Sequence, residues 1–326
     1  MNTTTTNIIS LMDIINEETN YGPKFINGLA DKGEVISIVG PSDTGKSMLL
    51  RQLSIDVING ENKFLSYELN PEHKKVIYFS SEDNKEKTKE IFLRMLQGDI
   101  SNSRNLYFDF NSYNPLMTLN EFLPLINCDL VVIDCFSDYF TSDINRSTDI
   151  RSFLLPYKRL ASEFNCLIIF LHHTGKNAEK RAPDKNSILG SQAIEGAMRL
   201  VLELRNHPTE TGHKCLTILK GNYISSELKQ KAKLLRFSEQ SLKFDDLIKN
   251  IPFSELITDD FEVTEYETFK RVSYMYNSGL SYDQIAENIG VSSKGTISKV
   301  LKKGKIKGWD RIIREDEESN LDGIPS

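Results

Sequence analysis

One run of eight residues carries the strongest chemical signal in the chain. Gly40-Pro41-Ser42-Asp43-Thr44-Gly45-Lys46-Ser47 fits the pattern G-x-x-x-x-G-K-[ST]. Gly40 and Gly45 let the backbone curl until successive N–H groups point at one anion. A helix starting near Lys46 adds the positive end of its dipole. The Lys46 ammonium can then reach the β- and γ-phosphates of ATP, and the Ser47 hydroxyl can fill one Mg²⁺ position. Met48, next in the chain, is counted with the nucleotide contacts. The Asp43 carboxylate would repel a triphosphate, so it is expected to point outward. The competing reading is a chance match in a glycine turn.

Further candidates stand at the ends of apolar runs. Asp134 closes Asp129-Leu130-Val131-Val132-Ile133-Asp134, where a carboxylate can orient Mg²⁺ or its waters; otherwise it caps a loop. Glu82 follows Lys75–Ser80 and is suited to orienting water, or is a solvated turn residue beside Asp83. His172 and His173 end Cys166–Leu171, where they can hydrogen-bond a γ-phosphate. The stretch from Gly175 to Ser187 holds Lys176, Lys180, Arg181 and Lys185 against Glu179 and Asp184. It is a solvated surface loop or a contact to nucleic-acid phosphates.

These residues need a scaffold. Glu34–Val39 reads as a buried strand, and Ser47–Ile58 as a helix with apolar residues at helical spacing. Strand candidates follow at 75–80, 106–110, 129–134 and 166–171. Helices are expected from Lys85 to Gln97, from Thr118 to Ile126 with Thr118 as cap, from Thr148 to Phe164 and from Ser187 to Ala197. Residues 60–73 and 135–147 read as loops. Met198–Leu204 and Cys215–Lys220 form a hairpin across Gly212, and a second hairpin pairs Lys233–Phe237 with Leu242–Phe244. Strands alternating with helices argue for an α/β fold with a mostly parallel sheet and an antiparallel edge.

Residues 246–263 read as a linker to a different module at 264–314. There Glu265–Asn277, Ser281–Ile289 and Ser293–Lys302 are helices, with Gly290-Val291-Ser292 as a turn: helix-turn-helix spacing. This stretch carries ten basic residues against five acidic ones, in a chain whose net charge is −6. Lys294, Thr296, Ser298, Lys299 and Lys302 are the candidate DNA contacts, with Lys302 to Lys307 holding phosphates and Trp309 under a wing. The alternative is a protein-docking helical domain. Residues 1–24 form an arm, with a short apolar helix at Ile8–Ile15, and 315–326 an acidic tail expected to be disordered.

Hydrophobic content of 39% and charged content of 26% suit an ordinary globular protein. The N-terminus lacks a secretory signal, and no run reaches the ~20 apolar residues of a membrane span. A cytoplasmic location is expected. Cys128, Cys135, Cys166 and Cys215 show no C-x-x-C spacing, so buried free thiols are preferred to zinc or disulfides.

Together these residues resemble the RecA-like ATPases, most closely the group containing plasmid RepA-type hexameric helicases. The likeness covers about residues 10–245. It rests on Phe25-Ile26-Asn27-Gly28-Leu29, the phosphate loop, Tyr78–Asp83, Val132-Ile133-Asp134, Phe170–Lys176 and Gly190–Arg199. The resemblance implies a ring-forming RecA-like P-loop NTPase, with 25–245 as the ATPase domain. It implies that Glu82 polarises the attacking water, that Asp134 is the Walker B aspartate, and that His173 senses the γ-phosphate with His172 beside it. Arg199 looks like a finger supplied to a neighbour's nucleotide, with Lys220 a weaker candidate. The loop after His173 is similar to loops that touch single-stranded DNA in the ring channel. A helix-turn-helix module is not part of the minimal RepA-type helicase. The expected function is a Mg²⁺-ATP-hydrolysing, ring-forming (hexameric) motor on DNA, a replicative-type helicase of a mobile element, with an ATP-dependent DNA-binding regulator or recombination factor that switches assembly without unwinding as the rival.

Overall fold

A computed structural model describes residues 8–16, 24–175, 178–188, 191–222, 224–257, 259–289 and 293–310. It divides into two compact units: Met1–Lys176 with Asp184–Ile251, and Asn177–Pro183 with Pro252–Ser326.

In the larger unit, α1 (Leu11–Asn16) precedes β1 (Val35–Gly40), and α2 (Lys46–Asn59) follows it. Next come the two-residue strands β2 (Lys63–Phe64) and β3 (Tyr67–Glu68), then β4 (Val76–Ser80), α3 (Lys85–Leu96), β5 (Leu106–Asp109) and α4 (Pro115–Phe122). β6 (Leu130–Asp134), α5 (Phe136–Tyr139), α6 (Ser147–Glu163), β7 (Leu167–His173) and α7 (Ser191–Ala197) complete the alternating part. β8 (Leu200–Asn206), β9 (His213–Gly221), β10 (Lys231–Ser238) and β11 (Lys243–Pro252) follow.

Nine strands form one sheet in the order β11-β10-β9-β8-β1-β7-β6-β4-β5. From β8 to β5 every neighbour is parallel, while β9 runs antiparallel to β8 and to β10. This is the expected mostly parallel α/β sheet, with the phosphate-loop strand at its centre and an antiparallel edge. All six residues of β1 are buried, because helices cover both faces. Ile36 and Ile38 pack with Leu49, Leu53 and Val57 of α2. Val35 and Val39 point the other way, onto Ile150, Leu154 and Ala161 of α6. Alternation along the strand thus builds two cores, each large side chain contributing about 1.5–3 kcal/mol on burial.

Several boundaries differ from the sequence reading. Residues 60–73 contain the β2–β3 hairpin rather than loop alone. Helix α4 starts at Pro115, whose missing N–H costs nothing at a first turn; Thr118 lies inside it and donates to Asp109 Oδ2 at 3.2 Å. Phe136–Tyr139 is a short helix within the expected loop. Strand β11 runs through Pro252, past the expected domain end at 245, so the first residues read as linker complete a sheet edge.

The smaller unit holds α8 (Asp259–Asn277), α9 (Tyr282–Ile289) and α10 (Lys294–Ile306) around Phe269, Val272, Ile285, Ile297 and Leu301. Ser281 caps α9 reciprocally: Gln284 N–H donates to Ser281 Oγ at 3.4 Å, and Ser281 N–H to Gln284 Oε1 at 2.9 Å. Helix α8 starts six residues before the expected Glu265. Trp309 packs on Tyr266 and Phe269. The turn at 290–292, Arg311, Arg314 and the tail lie outside the described residues. Among the described residues, no helix is long and apolar enough to cross a membrane.

Candidate nucleotide site

The parallel strands all end at one edge. Gly40 pairs with His173 across β1–β7, and Ser80 pairs with Asp134 across β4–β6. That register brings the phosphate loop, Asp134 and His173 to a single line, with Glu82 two residues beyond a strand end. Ser81 stitches the tips together: its N–H and Oγ donate to the Asp134 carbonyl at 3.0 and 2.9 Å, and Oγ accepts from Cys135 N–H at 3.1 Å.

The loop conformation needs its glycines. Gly45 has φ +92°, and a Cβ there would come within 2.9 Å of Phe244 Cζ. Gly40 lies so close to β8 that a Cβ would meet the Leu204 carbonyl at 2.1 Å. Phe244 is held over the loop by Gln52, which donates to its carbonyl at 3.0 Å and accepts its N–H at 2.7 Å. Thr44 is buried, and its hydroxyl donates to the Pro41 carbonyl at 3.0 Å. Ser42 and Asp43 are exposed, so Asp43 points outward as expected.

Lys46 is buried and its ammonium donates to the Pro41 carbonyl at 2.5 Å. Burial lowers its pKa, and the charges of Asp134 and Glu82 oppose that shift. Asp134 is buried, and Oδ2 accepts from the Tyr78 hydroxyl at 2.8 Å. Burial raises its pKa, while the Tyr78 and Ser47 hydroxyls and the Arg51 charge pull it back. Its Oδ1 is buried without a hydrogen-bond partner. An orphaned carboxylate oxygen beside a serine hydroxyl is a hard-oxygen donor set that fits Mg²⁺.

Glu82 is exposed, yet partial burial and the nearby Asp134 and Asp138 charges raise its pKa. His173 is half-buried; desolvation and the Lys46 charge lower its pKa, favouring neutral imidazole. Asp83 is anchored to the helix behind the loop by buried Arg51, whose Nη2 donates to Oδ2 at 2.5 Å.

Other expected contacts fall elsewhere. His172 is buried on the opposite face of β7, edge-on to Phe136 at 5.0 Å, because successive strand side chains alternate. It does not join His173 at the loop. The Met48 side chain packs against both core clusters flanking α2, so its only route to a nucleotide is the backbone. Arg199 N–H donates to the Val35 carbonyl at 3.2 Å, at the far end of β1 from Gly40. That strand is roughly 17 Å long, so Arg199 cannot serve the nucleotide site of its own chain. Lys220 pairs with Val201 at the same end, and its ammonium donates to the Met198 carbonyl at 2.8 Å. Arg199, Lys220 and Lys158 line one cavity of about 320 Å³ there. Burial and the charges of Lys220, Arg199 and Arg151 lower the Lys158 pKa.

In the loop after His173, Arg181 and Lys185 are exposed. Gly175 N–H donates to the Ser187 carbonyl at 3.0 Å, and Ile188 is buried, so its base is built into the fold. Lys176 and the Lys180 side chain lie outside the described residues. On α10, Lys294, Ser298, Lys299 and Lys302 are exposed on one stripe opposite buried Ile297 and Leu301, with Thr296 half-buried at its margin. Glu265 pairs with Lys303 at 2.6 Å and with Lys307 at 3.9 Å.

The sequence reading missed Tyr78, Arg51 and Gln52 as supports. Arg51 and Gln52 carried a signal, being polar on a helix otherwise apolar at those turns. Tyr78 carried none, since an aromatic residue in a strand reads as core.

The model of an AAA domain family, AAA_25, matches residues 5–179. No curated protein sequence matches the chain. Among solved structures, one similar to this chain is titled "Crystal structure of the RadB recombinase", with 16% identity and a TM-score of 0.49 over 66% of this chain and 91% of that one.

Proposed function

From the premise that the chain belongs to the AAA_25 family of AAA domains, we propose that it is a Mg²⁺-ATP-hydrolysing, ring-forming motor that acts on DNA in the cytoplasm. The observation that carries this reading is the convergence of Lys46, Ser47, Asp134, Glu82 and His173 at one sheet edge, with Asp134 Oδ1 buried and unpartnered. Gly40 through Ser47 wrap the triphosphate with main-chain N–H groups, and Lys46 turns from the Pro41 carbonyl to the β- and γ-phosphates. Ser47 and Asp134 would hold Mg²⁺, which would supply charge neutralisation at the phosphate oxygens. Glu82 accepts a hydrogen bond from the attacking water and orients it in line. Neutral His173 donates to the γ-phosphate and reports its loss to the loop that follows. Positioning and charge stabilisation supply the acceleration, since phosphoryl transfer asks for little covalent chemistry.

Arg199, with Lys220 as a second cation, reaches a neighbour's γ-phosphate. Its place at the far end of β1 supports a role in trans, which makes turnover depend on assembly into a ring, a hexamer in the proposal. Lys176, Lys180, Arg181 and Lys185 contact single-stranded DNA in the channel. The α10 stripe, in a helix-turn-helix, binds duplex phosphates and bases. This basic stripe favours one second reading, a DNA-bound regulator or recombination factor that uses ATP to switch assembly without unwinding.

The test is ATPase rate against protein concentration, with and without single-stranded DNA. A motor shows cooperative onset with concentration and stimulation by DNA. A rate per chain independent of both overturns the ring motor. Strand displacement on a forked substrate then separates helicase from regulator.

A further inference from the structure

Glu82, Cys135 and His173 come from the ends of β4, β6 and β7, and each places one ligand atom within 4.8 Å of the other two. No sequence spacing announces this trio, because three separate strands bring it together. The donors are a carboxylate oxygen, a sulfur and an imidazole nitrogen. That mixture does not suit Mg²⁺, which takes oxygen ligands alone. It suits Zn²⁺ and its neighbours, which take sulfur and nitrogen with carboxylate and accept three protein ligands plus one open position.

The surroundings agree. The Cys135 sulfur is buried and sits 2.8 Å from the Ser137 hydroxyl, a ready outer partner. His173 Nδ1 is buried with no hydrogen-bond partner. Glu82 is exposed and long, so its carboxylate can close the remaining gap. Tetrahedral zinc holds its donors about 3.3–3.8 Å apart, a shift that rotation about Glu82 bonds can provide. The other candidate trio, Glu72, His73 and Asp129, is already served by a cation, since Lys32 lies 2.7 Å from Glu72 and 2.8 Å from Asp129.

We propose that Glu82, Cys135 and His173 form a site for a thiophilic divalent cation such as Zn²⁺, separate from the Ser47–Asp134 position, and that filling it stops ATP hydrolysis. On binding, Cys135 releases its thiol proton to solvent and coordinates as thiolate. Binding itself is independent of the proposed ATPase chemistry. The inhibitory half rests on that reading, because the ion engages the water-orienting carboxylate and the γ-phosphate sensor together while leaving the phosphate loop free.

The experiment uses the full chain, stripped with chelator, titrated with Co²⁺ and Zn²⁺. Cobalt reports its own ligands: a thiolate gives a charge-transfer band in the near ultraviolet, and tetrahedral geometry gives intense visible bands. One equivalent per chain with both features is expected. C135S loses the charge-transfer band and binds Zn²⁺ at least ~10-fold more weakly, while its Mg²⁺-ATP hydrolysis in chelator stays at the wild-type rate. Should C135S fail to fold, H173Q takes its place in the binding arm and shows a comparable loss of affinity. A wild-type cobalt spectrum without a thiolate band, or one unchanged by C135S, overturns the site. In the second arm, micromolar Zn²⁺ inhibits wild-type turnover and C135S requires at least ~10-fold more. Zinc bound with turnover unchanged leaves the metal site standing and overturns the inhibitory half.

Discussion

The Tyr78 hydroxyl donates to Asp134 Oδ2 at 2.8 Å, across the β4–β6 pair, and leaves Oδ1 buried and free of partners. One oxygen is thus fixed by the protein and the other held ready for a cation. Removing the hydroxyl leaves a buried carboxylate short of a donor, at a cost of about 1–3 kcal/mol. Tyr78→Phe is therefore expected to lower stability by that amount and to cut ATP turnover by about 10-fold, with a raised Mg²⁺ requirement. Denaturant melts and Mg²⁺ titrations of turnover check both. A wild-type Mg²⁺ dependence in Y78F would contradict this role.

The two loop glycines fail in different ways when substituted. At Gly45 the neighbour is a phenylalanine ring edge, which can shift, but φ is +92°. Gly45→Ala is expected to cost about 1–2 kcal/mol in stability and to abolish ATP binding through the distorted loop. At Gly40 the obstacle is the Leu204 backbone, at 2.1 Å from the added Cβ. Gly40→Ala must part β1 from β8 and is expected to lower stability by more than about 4 kcal/mol, enough to prevent expression of folded protein. Thermal melts with and without nucleotide distinguish the two.

How much of this was readable beforehand follows from where the information sits. Gly40–Ser47 and Asp134 were legible because a local pattern specifies local geometry. The alternation of strands and helices was legible because periodicity reports burial. The orientation of His172 was equally implicit in strand alternation, yet which of two adjacent histidines faces the loop depends on which sheet face α2 covers. The Phe244–Gln52 clasp joins residues far apart in the chain, and no local signal reports such a pairing. The end of β11 was misread because exposed edge strands carry charged residues such as Asp245, Asp246 and Lys249 that resemble linker.

In the proposed mechanism two groups set the acid limb of turnover. Burial, together with Asp134 and Asp138, raises the Glu82 pKa above 4.5, and Glu82 must be ionised to orient water. Desolvation, together with Lys46, lowers the His173 pKa below 6.5, so the neutral form persists into mild acid. The rate is therefore expected to fall toward acid pH as Glu82 and His173 take up protons. Stability follows His173 with a definite sign: its folded pKa is depressed, so the unfolded chain binds more protons and stability falls as pH drops through 6.5. His173→Gln removes that loss. Melts of the two proteins over this window are the check.

Arg199 sits a full strand length from the phosphate loop of its own chain, so in the proposed ring its contribution crosses an interface. R199A is expected to bind ATP normally and lose at least ~10³-fold in assembled turnover. K46A retains Arg199 but has a dead loop. Mixing the two is expected to restore a fraction of activity, because some interfaces pair an intact loop with an intact arginine. Mixtures that stay inactive, although the chains co-assemble by light scattering, would contradict the trans arrangement.

In the proposed mechanism one pocket binds ATP through the loop and hydrolyses it through Glu82. The most direct measurement is equilibrium ATP binding beside single-turnover hydrolysis for wild type, K46A and E82Q. K46A is expected neither to bind nor to hydrolyse, and E82Q to bind Mg²⁺-ATP with near wild-type affinity and to hydrolyse it at least ~100-fold more slowly. Hydrolysis by E82Q at the wild-type rate would contradict it.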